Sequence, residues 1–204
     1  MGTRPILYYI HDPMCSWCWG FKSGWDAMRE RLSDRVEIRY VVGGLAPECH
    51  EPMPMEMREM LEQTWRRVSE KTGASFNHDF WRNNTPMRST YPACKAVLLA
   101  RDQGKELEMI AAIQALYYQQ AGNPSEYETL YKLASGLGMD MEAFKLSMHA
   151  ETTEQRLREE IMFAESLGAQ GIPSLVLEKD GEQIFIQHSY TDVEENLRRI
   201  TSYL

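Results

Sequence analysis

The sequence predicts an α/β domain interrupted by a large all-helical insertion. Three observations carry that reading. Residues 1–45 read as strand, helix, strand; residues 150–204 read as helix, strand, strand, helix; and the roughly hundred residues between them show helical spacing without a convincing strand. The pattern assigns 1–45 and 150–204 to one domain and 46–149 to a helical subdomain.

The elements follow in order. Ile6-Leu7-Tyr8-Tyr9-Ile10 is a short continuous apolar and aromatic run, as expected of a strand buried on both faces. Phe21, Trp25, Met28 and Leu32 form one helical stripe, broken at Ser33-Asp34. Val36 to Val42 is β-branched and makes the next strand, parallel to the first because a helix connects them. The pattern changes at Gly43-Gly44. Met57, Met60, Leu61, Thr64, Trp65 and Val68 recur at helical spacing before Gly73; Ser89 to Arg101 and Glu106 to Gln120 are two further helices. Asn123 and Pro124 read as cap and first residue of another, ending at Gly138, and Asp140 to Met148 closes the insertion. Thr152 and Gln155 form a capping box for a long helix stopped by Gly168. A strand over Ser174 to Glu178 turns back at Asp180-Gly181 into Gln183 to Gln187, and a last helix is capped by Thr191 with Glu194.

Composition narrows the function. The 204 residues carry 22 basic and 30 acidic side chains, a formal charge of −8, and 43% are hydrophobic. An acidic balance argues against nucleic acid or an anionic membrane as partner. No apolar run reaches the 18 or so residues of a membrane span. The start of the chain lacks a signal-peptide pattern, which makes a reducing cytoplasm the expected compartment. There, four cysteines point to catalysis, metal or core packing before a disulfide framework.

The sharpest motif is Cys15-Ser16-Trp17-Cys18, placed between the first strand and an amphipathic helix. Thiol–disulfide exchange needs a thiolate that attacks and a second thiol that resolves the mixed disulfide. A helix start favours the anionic sulfur and lowers such thiols to roughly pKa 3.5–7.5. Cys15, nearer the helix end, is the expected nucleophile and Cys18 the buried resolver. The bland alternative is a chance pair of core thiols. Gly171-Ile172-Pro173-Ser174 precedes a strand, where proline's missing donor is tolerated. Either it is a simple loop stop, or a cis proline faces the cysteines with the Ile172 backbone open to an extended substrate; the residues alone leave the isomer open.

Strand, CxxC helix, strand, helical insertion, helix, the Gly171-Ile172-Pro173 turn, hairpin and terminal helix resembles the DsbA-like branch of the thioredoxin superfamily along essentially the whole chain. The stretch from His11 to Phe21 looks most like cytosolic FrnE-type members. The resemblance implies a thioredoxin-like fold, redox roles for Cys15 and Cys18, and a cis Ile172–Pro173 bond with Pro173 at the site. Ser16-Trp17 departs from the Pro-His pair of the periplasmic oxidant, so strong oxidising power does not carry over. Kappa-class glutathione transferases and hydroxychromene-carboxylate isomerases are related and use a serine where this chain has Cys15. The segment Asn83 to Pro86 with Ser89 is similar to theirs.

Weaker signals complete the expectation. His11, at a strand end, would raise the thiolate fraction of Cys15 if cationic, or is equally a solvated loop residue. Trp17 is expected exposed as an apolar platform, and Trp19 packed. Cys49 and Cys94 read as buried free thiols. Copper through Cys49, His50 and the following methionines is disfavoured because Met57 already belongs to a helix stripe and methionine packing explains the rest, and zinc through Cys15, Cys18, Cys49 and His50 is disfavoured by spacing. Most of the thirteen methionines are expected in the core. The expected function is a thiol–disulfide oxidoreductase or isomerase acting on protein or peptide thiols and disulfides. Ser16, Trp17, Ile172 and His11 would contact substrate. No metal or organic cofactor is required, and glutathione is the candidate redox co-substrate. A glutathione-dependent transferase or isomerase, and a non-catalytic peptide- or metal-binding module, are the alternatives.

Overall fold

The computed structural model describes residues 4–204. Its four-stranded sheet has the order β2-β1-β3-β4. The central strand β1 (Ile6–His11) runs parallel to β2 (Glu37–Val42) and antiparallel to β3 (Ser174–Lys179), which returns through Asp180 and Gly181 into β4 (Glu182–Ile186). Both turn residues have positive φ, 52° and 85°. An Asp-Gly pair tolerates that backbone and sets the tight hairpin. The parallel β1–β2 pair confirms the crossover expected from the intervening helix.

Period-two alternation sorts the central strand. Leu7 and Tyr9 face a core shared with α1 (Ser16–Leu32) and α9 (Val193–Thr201), where Phe21, Trp25, Met28 and Ile200 are buried. Tyr8 and Ile10 face the other side, against Ala164 and Leu167 of α8 (Glu151–Ser166) and its C-terminal turn. Each such side chain contributes about 1.5–3 kcal/mol on burial. The predicted stripe of α1 is the observed one.

Between β2 and α8 lie α2 (Met55–Thr72), the short α3 (Phe80–Asn83), α4 (Tyr91–Asp102), α5 (Glu106–Gln119), α6 (Tyr127–Gly136) and α7 (Met141–Met148). Helices α4 to α8 enclose one apolar core. A second, aromatic one forms around Trp65 of α2, with Trp81 at 4.9 Å and Tyr118 at 5.3 Å between ring centroids. Arg101 of α4 ties these layers to the sheet. It binds Glu160 of α8 through two nitrogens at 2.7 and 2.8 Å, and Glu160 accepts the Val42 N–H at 2.9 Å.

Several boundaries differ from expectation. Asn123 and Pro124 sit in a turn, and α6 begins at Tyr127; the Asn123 carboxamide accepts from Ser125 N–H and donates to Glu126 instead of capping a helix. Thr152 lies inside α8, which starts at Glu151, and Gln155 donates along the helix to Glu159. Asp192, not Thr191, caps α9 by accepting the Glu195 N–H at 2.9 Å. Met60 is half exposed, off the buried stripe of α2. At the three helix starts, tertiary packing set where the chain enters the helix, and the N-cap falls on Glu126, Ala150 and Asp192.

Candidate active site

Cys15 occupies the N-cap of α1 with extended backbone (φ −80°, ψ 118°), and Cys18 lies one turn on, facing inward. All four cysteines are free. The Ile172–Pro173 bond is cis, and the Cys15 Sγ points at the Ile172 carbonyl, 3.5 Å away. The strand order explains the meeting: Ile10, next to the end of β1, pairs with Ser174, where β3 begins, so the cysteine turn and the proline turn project from neighbouring strand ends.

A groove of about 220 Å³ opens beside Cys15, with Ser16, Trp17 and Ile172 on its rim. The insertion builds its far wall. Met53, Met87, Trp65 and Tyr117 make it apolar, with Met14 of the cysteine turn beside them, while Thr64 and Arg88 add polar atoms. Three methionines thus line the groove, and Met53 belongs to the aromatic core as well. Trp17 is half-buried, its ring 4.8 Å from Tyr190. Trp19 is partly buried too, stacked 5.5 Å from Tyr118 and donating to the Ser75 carbonyl at 2.9 Å. Pro173 is buried behind the Ile172 carbonyl.

Cys18 is only 1% exposed. Burial, then the Cys15 sulfur beside it, pushes its thiol well above the ordinary range. Tyr9 of β1 lines the same small cavity as this sulfur.

His11 does not take the expected place. It is 1% exposed on the core face of β1, its ring stacked 5.4 Å from Tyr9 and edge-on to Tyr40 at 5.6 Å. Burial, and secondarily the nearby Arg101 charge, lowers its pKa to about 3, so the imidazole is neutral at physiological pH. A cationic His11 promoting the Cys15 thiolate, or touching substrate, is therefore corrected: strand alternation turns this residue away from the groove.

The residue that composition and spacing overlooked is its neighbour, Asp12. Fully buried, its carboxylate accepts from Met14 N–H at 2.8 Å, from Leu45 N–H at 2.9 Å and from the Cys94 thiol at 3.5 Å. Burial raises its pKa, and these donors with the Thr90 hydroxyl oppose the rise. One side chain thus fastens the cysteine turn to the corner after β2 and to α4. A carboxylate wedged between an apolar strand and a CxxC motif was the available signal, since a charge there must find partners. Cys94 is buried as expected; Cys49 is only half-buried. Among the described residues, no group of three or more His, Cys, Asp or Glu side chains is arranged to hold a metal ion.

The thioredoxin family model Thioredoxin_5 matches residues 8–193. The chain belongs to the thioredoxin family. Its likeness to solved structures extends over nearly the whole fold. A putative protein disulfide isomerase from Nitrosomonas europaea superposes with a TM-score of 0.85 at 28% identity, covering 98% of each chain. The cytosolic disulfide reductase DsbM from Pseudomonas aeruginosa gives 0.80 at 24%, covering 97% of this chain and 98% of that one, and it has also been solved with GSH. Other matches in fold include DsbA oxidoreductases and a 2-hydroxychromene-2-carboxylate isomerase, in keeping with the branch that the element order resembles. The curated relative ClpXP adapter protein SpxH from Halalkalibacterium halodurans is 22% identical over 184 residues; the match takes in 87% of this chain but only 60% of that protein. For this thioredoxin-family chain, the likeness supports oxidoreductase chemistry in general.

Proposed function

We propose that the protein is a thiol–disulfide oxidoreductase of protein or peptide disulfides, with Cys15 as nucleophile and Cys18 as resolving thiol. The observation that carries this reading is the Cys15 sulfur at a helix N-cap, facing the Ile172 carbonyl of a cis-proline turn and opening on an apolar groove. Cys15 attacks a substrate disulfide and displaces one thiol. Cys18 then attacks the Cys15 sulfur, forms the intramolecular disulfide and releases the second thiol. The Ile172 backbone and Pro173 align the substrate chain, while Ser16, Trp17 and the methionine-lined wall receive its side chains. Glutathione is the proposed recycling partner, supported by DsbM having been solved with GSH and by Arg88 at the groove, a cation suited to a carboxylate. A cytoplasmic setting suits both.

Insulin reduction tests the assignment. Cys15→Ser is expected to abolish turnover, and Cys18→Ser to stall as a trapped mixed disulfide. Full activity in both variants would refute it. A transferase or isomerase reading, which the second thiol at Cys18 disfavours, would be supported by glutathione-dependent turnover unaffected by Cys18→Ser. The relatives named as ClpXP adapters favour a competing binding role. Partner capture that survives Cys15→Ser, together with no disulfide turnover, would support that role.

A further inference from the structure

A glycine lies against the proline turn. Gly43 follows β2 directly, and its N–H donates to the His11 carbonyl at 2.7 Å. Its neighbour Gly44 has a φ of 57°, which favours glycine; Gly43 does not have positive φ, so its backbone does not demand one. Space does. A Cβ at Gly43 would overlap Ile172 Cδ1 and stand 3.1 Å from Ile172 Cγ1 and 3.3 Å from Ile10 Cγ2. Apolar carbons pack at about 3.5–4.0 Å. The Ile172 side chain therefore rests on the Gly43 backbone, where a side chain would otherwise sit. Gly20, Gly44 and Gly122 are crowded too, but by Val68, Ile161 and Leu116, which lie outside the cysteine and proline turns. Ile172 is different: its carbonyl lies 3.5 Å from the Cys15 sulfur, on the groove rim.

Resting on the function proposed above, we infer that Gly43 is a positioning residue for disulfide exchange. By leaving a seat for the Ile172 side chain, it fixes the Ile172 backbone at the spacing from Cys15 where an extended substrate strand is aligned. Rotation about the outer bond of Ile172 moves Cδ1 but leaves Cγ1 in place, and a β-branched side chain is stiff at χ1. Ile10 closes the remaining side. A methyl group at position 43 therefore lifts Ile172, and the carbonyl moves with it. Backbone pairing to a substrate strand needs donor and acceptor within about 2.7–3.2 Å, so the strand loses its register. Attack needs that register: the Cys15 sulfur bonds to one substrate sulfur in line with the other, which leaves as a thiolate. Gly43 touches neither sulfur and acts through Ile172.

Gly43→Ala adds the methyl group. In reduction of a peptide disulfide with dithiothreitol as electron source, kcat should fall about tenfold, the effect of a displacement below ~1 Å. KM should change less than about twofold, because the groove walls are unaltered. Alkylation of Cys15 by iodoacetamide, which needs no strand alignment, should stay within about twofold of the unaltered protein's rate by mass spectrometry. Ile172→Val removes Cδ1, the overlapping atom, and in that background Gly43→Ala should cost less than about threefold in kcat. An equal loss of kcat in both backgrounds would overturn the seat, as would an unchanged kcat in Gly43→Ala alone. Alkylation slowed as much as turnover would also overturn it, by placing the damage at Cys15. If Gly43→Ala alone does not fold by circular dichroism, the pair with Ile172→Val decides: it should fold and turn over the peptide, and a pair that also fails to fold overturns the seat. If the unaltered protein does not reduce the peptide disulfide, the oxidoreductase reading itself fails, and the positioning role with it.

Discussion

The two sides of the α1 N-terminus differ sharply, although Cys15 and Cys18 are three residues apart. On the Cys15 side the walls are assembled from distant segments: the Ile172 turn, the corner after β2, and α2 and α5 of the insertion. On the Cys18 side the surroundings are β1, the rest of α1 and α5, with aromatic rings packed closely, Tyr9 stacked 4.3 Å from Trp25 and Trp25 donating to the Tyr40 hydroxyl at 2.8 Å. One turn of helix therefore sets one thiol beside an apolar groove and the other in a core entered by a narrow cleft. Division of labour between chemically identical groups follows from environment, not from residue type.

Asp12 lies where the two sides meet, and removing it is the hardest test of the contrast. Asp12→Ala leaves the Met14 and Leu45 N–H groups without their acceptor. A loss of about 3 kcal/mol in chemical denaturation is expected, with the cysteine turn loosened on both sides. A loss below ~1 kcal/mol would show that the turn is held by packing instead.

His11 probes the rear side. Its folded pKa of about 3 lies below the ordinary 6.5, so the stability it contributes is complete above pH 6.5 and is lost as pH falls toward 3. The slope is about 1.4 kcal/mol per pH unit, or about 2 kcal/mol by pH 5. His11→Phe keeps the ring between Tyr9 and Tyr40 and should flatten that part of the pH–stability curve. An undiminished acid slope in the variant would assign it elsewhere.

Smaller effects sharpen the contrast. A maleimide at neutral pH should modify Cys15 before Cys18 by at least about tenfold, read by mass spectrometry of peptides. Equal rates would mean that the rear cleft is wider than its described walls. Trp17→Ala should raise KM for a peptide disulfide a few-fold and leave kcat nearly unchanged, since the ring borders the groove.

Local pattern was enough for much of this molecule. The strand–helix–strand opening, the stripe of Phe21, Trp25, Met28 and Leu32, the Asp180-Gly181 hairpin and the CxxC at a helix start were legible because each depends on neighbours within a turn or two. Helix caps were less so. Thr152, Thr191 and Asn123 all have the chemistry of a cap, and entry angles imposed by packing chose Ala150, Asp192 and Glu126 instead.

By itself, the amino-acid sequence determined the fold class, the order of elements and the pair of thiols, since periodicity and motif spacing are properties of consecutive residues. Tertiary structure alone decided that His11 is a neutral core ring, that Asp12 pins the site, that the insertion supplies the methionine wall, and that Cys18 has an entrance of its own. Those outcomes depend on segments far apart in the chain, such as Leu45 and Asp12 or Gln114 and Cys18, brought together only when burial of both faces of the sheet is complete.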